Sequence, residues 1–218
     1  MNSVDGEMSL RQIFSKLDIR VGTVVKVSAN AKARKPSYLV EVHFGPGFEH
    51  LNQRVSSAQL VELYTPETLL GKQLCAVANF PVRSVGVRSY FLTLGVVYED
   101  GAFPTVVLVP TLQVPNGTRV GLLGEGEIPS EPQKEVAFEE TLGQLDIRCG
   151  TVLAENAHAD FGPDWGVIKL PVGTRDKVSE GMRILGLRNE GVLGLRGPDG
   201  REYPIVLDQR APNGGRLG

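Results

Sequence analysis

A chain of 218 residues with a net charge of −2 is too evenly charged to be a simple basic nucleic-acid glue, and it has room for one large or two small domains. Hydrophobic content of 41% and aromatic content of 6% suit soluble globular cores, and no apolar run approaches the roughly 18–20 residues of a membrane span. The opening residues, MNSVDGEMSL, lack the basic-then-apolar order of a signal peptide, so a cytoplasmic location is expected.

Ser9 begins the first element. It can cap a short helix with Gln12 as its capping-box partner, and Leu10, Ile13, Phe14 and Leu17 then fall on one face. From residue 17 the sequence reads LDIRVGTV, and from residue 145 it reads LDIRCGTV, seven of eight identical at an offset of 128. Two closing segments match as well, PNGTRVG from residue 115 and PNGGRLG from residue 212, at an offset of 97. A period this long marks a duplicated domain, and the fall in offset from 128 to 97 means that the second copy is 31 residues shorter.

After the helix the apolar period changes to two, which predicts strands over 19–27, 38–44, 53–58, 73–80, 90–97 and 105–109. One helix is expected among them, over 60–71. Short strands with one inserted helix suggest an OB-fold, so the expected fold class is all-β: two tandem five-stranded OB-fold barrels with short helices, the second trimmed. The domains are placed at 9–121, a linker at 122–136 rich in Glu, Pro and Gly, and a degenerate copy at 137–218. In that copy Phe138, Leu142 and Leu145 repeat the helix face. An ungapped match carries it on to Gly173 opposite Gly45, which puts the whole 31-residue loss before the second PNG.

Enzyme signals are weak, and a non-enzyme is expected. His43, His50 and His158 have no metal-ligand spacing, and there is no P-loop, nucleophile elbow or dinucleotide fingerprint, so neither a cofactor nor a metal is expected. Cys75 and Cys149 lie in apolar strand-like settings and read as small buried hydrophobes. Charge is more informative. Residues 17–121 hold ten Lys/Arg against seven Asp/Glu, 122–144 hold one against six, and 145–218 hold ten of each. The positive excess therefore belongs to the first copy. Lys32, Arg34 and Lys35 sit in the connection between its first two strands, and Arg83 and Arg88 in the loop that would be its partner across an OB groove, with Arg54 on an adjoining strand. Two basic loops flanking a groove could grip a phosphate backbone, with Ser56, Ser57 and Gln59 adding hydrogen bonds. A solvated charge cluster would look the same on composition alone.

The blocks KLDIRVGTVVKV, ARKPSYLVEVHFG, SSAQLVELYTPETLLGKQLCAVANFPVR, LTLGV and VPNGTRVG, in that order, resemble the EMAP-type tRNA-binding domain family, in its CsaA-like branch. The resemblance covers residues 9–120, whereas the second copy resembles the family only at LDIRCGTV and its closing segment. It implies an OB-fold, a homodimer, and recognition of tRNA or other structured RNA by shape. CsaA-like members imply the alternative, a chaperone for unfolded proteins or exported preproteins. The family pattern falls on Lys32, Arg34, Lys35 and Pro36, on residues 56–59, and on residues 79–83. At the 128 offset Lys32, Arg34, Lys35 and Pro36 become Asp160, Gly162, Pro163 and Asp164, so the second copy is expected to carry an acidic loop and no site. The fused chain is then expected to be a monomer that imitates the family's homodimer.

Overall fold

The computed structural model describes residues 8–84, 86–97, 105–124 and 132–218; residues 125–131 of the acidic linker expected at 122–136 lie outside them. Helix α1 spans Leu10–Ser15. Ser9 is its N-cap, and the reciprocal bonds with Gln12 close the capping box. The first copy continues through β1 (Ile19–Ala29), β2 (Tyr38–His43), β3 (Val55–Ala58), the one-turn helix α2 (Pro66–Leu69), and β4 (Gln73–Val77). Six short strands follow: β5 (Arg83–Ser84), β6 (Arg88–Ser89), β7 (Leu92–Thr93), β8 (Gly95–Val97), β9 (Val106–Val107) and β10 (Val109–Pro110). Strand β11 (Val120–Leu122) ends the copy. The second copy has β12 (Ile147–Val152), β13 (His158–Asp160), β14 (Val167–Lys169), β15 (Arg183–Leu187), β16 (Gly191–Arg196), β17 (Glu202–Leu207) and β18 (Arg216–Leu217).

The result is two nearly closed, barrel-like sheets in tandem. The first runs β3-β2-β1-β4-β7. The second is built on β17-β16-β15-β12 and reaches into the first copy, because β18 pairs with β8 and β11 pairs with β16. The strand expected over 90–97 is split for this reason. Leu92 and Thr93 pair with β4, and past Leu94 the chain crosses to pair with β18. The helix expected over 60–71 is also shorter. Leu60 to Tyr64 is a turn, and the helix starts only at Pro66, whose missing N–H suits a first turn. In the second copy the repeated helix face yields only a 3-10 turn, Leu142–Gln144. Ala137 stands where Ser9 caps α1, so no side chain can accept the first free N–H groups.

Register shows where the second copy lost its residues. Thr23 pairs with His43, and its counterpart Thr151 pairs with Asp160. Gly22 lies against Phe44, and Gly150 lies against Phe161. The counterpart of Gly45 is therefore Gly162, not Gly173; both have positive φ, 83° and 91°. Ile19 pairs with Val77, and Ile147 pairs with Leu187. The Thr23 hydroxyl donates to Asn116 Oδ1 at 2.8 Å, as Thr151 does to Asn213 at 3.0 Å. The offset thus steps from 128 to 117, 110 and 97, so the copy lost eleven, seven and thirteen residues in three places. The first loss removes the end of the strand and the loop after it. The expected charge inversion is overturned: Asp160 is a strand residue opposite Thr151, and the connecting loop is cut to the five residues Leu153 to Ala157.

The same registers explain the packing. Leu74 and Ala76 of β4 face a barrel interior with Val24, Val42 and Phe44, while Cys75 and Val77 face outward into a second core. Strand β15 repeats this, with Ile184 turned inward and Leu185 and Leu187 outward. Among the described residues, 14 buried apolar side chains fill the first interior, 8 the second, and 26 the core between the copies. The shared core outweighs either interior, so burying it dominates the stability of the pair. Both cysteines lie in it, where burial pushes each thiol up to about 12.

A candidate nucleic-acid interface

The basic loop 30–37 joins two strands that pair from Ala29 to Tyr38. Asn30 fixes its shape. The Asn30 N–H donates to the Ser37 carbonyl (2.9 Å), its Oδ1 accepts from the Lys32 N–H (3.2 Å), and its Nδ2 donates to Ser57 Oγ (2.9 Å). Strand β3 is tied in turn to the β5–β6 hairpin, since the Ser57 N–H donates to Ser89 Oγ at 3.1 Å. Gly86 at the hairpin tip has φ +72°, and a Cβ there would overlap the Lys32 carbonyl. Only glycine allows the two loops this approach.

Between them lies a groove of about 540 Å³, lined by Lys32, Arg34, Lys35, Ser57, Gln59 and Ser84 among others. No carboxylate lines it, and among the described residues none of its three cations is in an ion pair. Five of the nine residues expected from sequence thus meet at one place. The other four are placed differently. Ser56 is buried and accepts from Ser89 Oγ at 3.4 Å, so it braces the groove from beneath. The Arg54 guanidinium lies over the Tyr90 ring at 5.0 Å. That of Arg83 lies over Phe80 (5.8 Å) and over Phe138 of the second copy (5.3 Å). Arg88 is exposed on β6, opposite Ser84.

Asn79, in the segment implied by resemblance, is buried and structural. Its Oδ1 accepts from the Asp18 N–H at 2.9 Å, and its Nδ2 donates to the carbonyls of Lys16 and Gln133. Sequence reasoning missed Asn30, Ser84, Ser89 and Gly86. Asn30 sits at a strand end where Asn side chains cap turns, which is a usable signal; nothing local marks the others.

The repeated LDIR serves structure in both copies. Arg20 pairs with Asp18 and lies over the Phe48 ring at 5.1 Å. Arg148 pairs with Asp146 at 2.8 Å and lies over Trp165 at 5.9 Å. Asp146 further accepts from Trp165 Nε1 at 3.1 Å and has Arg188 at 3.5 Å and Arg216 at 3.7 Å. Burial pushes its carboxyl up, but the bonds from Arg148 and Trp165 and the surrounding guanidinium charge outweigh that and hold it below the usual range. The second copy therefore spends these arginines on its own carboxylates. Among the described residues no group of three or more His, Cys, Asp or Glu is gathered as metal ligands, and no helix is long and apolar enough to cross a membrane.

No family model matches the chain. It is similar to methionine--tRNA ligase of Porphyromonas gingivalis, 36% identical over 108 residues, which is 49% of this chain and 15% of that protein. The chain thus spans only about a seventh of the length of such curated relatives. It is 39% identical to the chaperone CsaA of Bacillus anthracis over 52% of this chain and 98% of that one, with a TM-score of 0.45. The C-terminal domain of Plasmodium vivax p43 is 17% identical, covers 94% of this chain and 98% of its own, and has a TM-score of 0.57, a likeness of fold.

Proposed function

The chain belongs to the CsaA-like family of tRNA-binding-domain proteins, and we propose that it is a non-enzymatic tRNA-binding protein with a single groove on its first barrel. The observation that carries this reading is the meeting of Lys32, Arg34 and Lys35 with Ser57 and Gln59 in a groove lined by no carboxylate. Cations at such a site attract a phosphate backbone, and the hydroxyl and amide groups fix its position. The second copy offers no equivalent, because the corresponding loop is only Leu153 to Ala157.

The second copy completes a pseudo-dimer. Val120 to Leu122 pair with residues 193–195 of the other copy, and residues 216–217 pair back with 96–97. Val109 pairs with Val206, its own counterpart at offset 97, as two residues astride a two-fold axis must. A chaperone would need an open apolar cleft between the barrels. The centre of that junction is instead a filled core of residues such as Leu17, Val96, Leu145 and Leu185, which favours RNA.

The test is titration with tRNA at 50 and 200 mM salt. Three phosphate contacts predict an affinity loss of about fortyfold over that range. The triple variant K32E/R34E/K35E is expected to abolish binding. Salt-independent binding, or binding unchanged in the variant, would overturn the reading. Sedimentation as a stable dimer of full chains would refute the pseudo-dimer separately.

A further inference from the structure

The outer strand of the β5–β6 hairpin has little hold on its own barrel. Among the described residues β5 pairs only with β6, and both its residues are exposed, as are Pro81 and Val82 on the way to it. Strand β6 is tied to β3 through Ser89, but a segment so thinly packed on one side opens locally at small cost. The second copy supplies what holds the outer side. Asn79, at the root of the hairpin, donates from Nδ2 to the Gln133 carbonyl at 2.8 Å, and its own carbonyl accepts from the Val136 N–H at 3.0 Å. Just beyond, the Phe138 ring meets Phe80 at 5.9 Å and lies under the Arg83 guanidinium at 5.3 Å. Phe138 is itself fixed, because its carbonyl accepts from the N–H groups of Thr141 and Gly143.

The place related by the pseudo-two-fold has diverged. The Ala78 N–H bonds the Asp18 carbonyl as the Arg188 N–H bonds that of Asp146, so Phe80 corresponds to Glu190, while Phe138 corresponds to Leu10. There β15 runs to β16 through Arg188, Asn189 and Glu190, with no hairpin between them. Glu190 bonds Arg11 at 3.0 Å in place of an aromatic contact. The aromatic pair is found on the side that keeps the hairpin.

We infer that Phe138, acting through Arg83, positions the hairpin that walls the basic groove, so that the copy without a site is required for the site of the other. The inference rests on the RNA-binding reading above. Ser84 lines the groove and Gly86 meets the Lys32 carbonyl, so a shift at Arg83 reaches the loop that carries the cations. The planar guanidinium stacks on ring faces, which makes Arg83 a positioning residue here and not a phosphate ligand. A folded RNA is read by the fixed spacing of its contacts. A loosened wall leaves fewer chains competent to bind, and affinity falls by that fraction.

The test is titration of the full chain with tRNA over the same two salt concentrations. Phe138→Ala is expected to weaken binding about three- to tenfold, and Phe138→Tyr, which keeps the ring, to stay within about twofold of the parent. The salt slope should be unchanged, because no phosphate contact is lost. Arg83→Met should weaken binding as Phe138→Ala does, again at constant slope, and the double variant should bind no worse than the weaker single. A urea unfolding curve for each variant separates affinity from folding. A lower midpoint in Phe138→Ala with unchanged affinity for tRNA would make the contact merely structural and overturn the inference. A slope reduced by about one in Arg83→Met, with losses that add in the double variant, would make Arg83 a phosphate ligand and overturn it too. Failure of the parent to bind tRNA in a salt-dependent way would instead refute the RNA reading itself.

Discussion

Replacing Asp146 with alanine tests whether burial decides the worth of an ion pair in the second copy. Arg148 bonds two carboxylates, Asp146 at 2.8 Å and Asp164 at 2.9 Å. The distances are nearly equal, but the Asp146 side chain is 17% exposed and that of Asp164 is 65% exposed. Asp146→Ala takes the more buried of its two carboxylates from Arg148, removes the acceptor of the Trp165 N–H, and lets the Arg188 and Arg216 charges repel. Breaking a buried pair costs about 3–5 kcal/mol, and partial exposure of Asp146 places this one near 3 kcal/mol. Asp164→Ala should cost less than about 0.5 kcal/mol, as exposed pairs do. In urea, with a slope of about 2–3 kcal/mol per molar, the first variant shifts the midpoint down by roughly 1 M and the second by under 0.3 M. Equal shifts in the two variants would refute the reasoning. Acidity offers a second readout. The folded carboxyl lies below its unfolded value of about 3.9. Its stabilisation is therefore present above that pH and disappears as pH falls through the folded value. Asp146→Asn should lose this part of the acid dependence.

Gly86→Ala should disturb the groove without touching a cation. The alanine must hold φ near +72° and clear the Lys32 carbonyl, so the loops separate at a cost of about 1–3 kcal/mol. RNA affinity should fall several-fold, and an unchanged affinity would show that loop contact is unnecessary. The thiols of Cys75 and Cys149, buried and raised to about 12, should resist an aromatic disulfide reagent at pH 8 and react together on unfolding. Stoichiometric reaction of either in the native chain would contradict its placement.

Much of the fold was legible because strong local signals agreed with it. The capping box at Ser9 and the β-branched run from Ile19 needed no tertiary help. Strand β4 was legible for another reason: buried on both faces, it reads as a continuous apolar run. The helix over 60–71 failed because its apolar spacing reflects burial of Leu60 and Tyr64 in a turn, and Pro66 forbids continuation upstream. The site was legible as a charge cluster on loops, but Ser56 and Asn79 are buried there, and their inward orientation depends on pairings that only the folded sheet supplies. The misplaced deletion had a readable cure. Phe44-Gly45-Pro46 recurs as Phe161-Gly162-Pro163, and that tripeptide marks the 117 offset that an ungapped match runs past.

The pairing of β18 with β8 joins two parts of one covalent chain. An interface between separate subunits dissociates on dilution by mass action, so anything built on it fades at low concentration. Here the linker holds the strands at a fixed effective concentration however little protein is present. The seam between β8 and β18 is then as available at nanomolar as at millimolar protein. On the RNA-binding, pseudo-dimer reading, an RNA encountering a scarce protein would meet a seam already assembled.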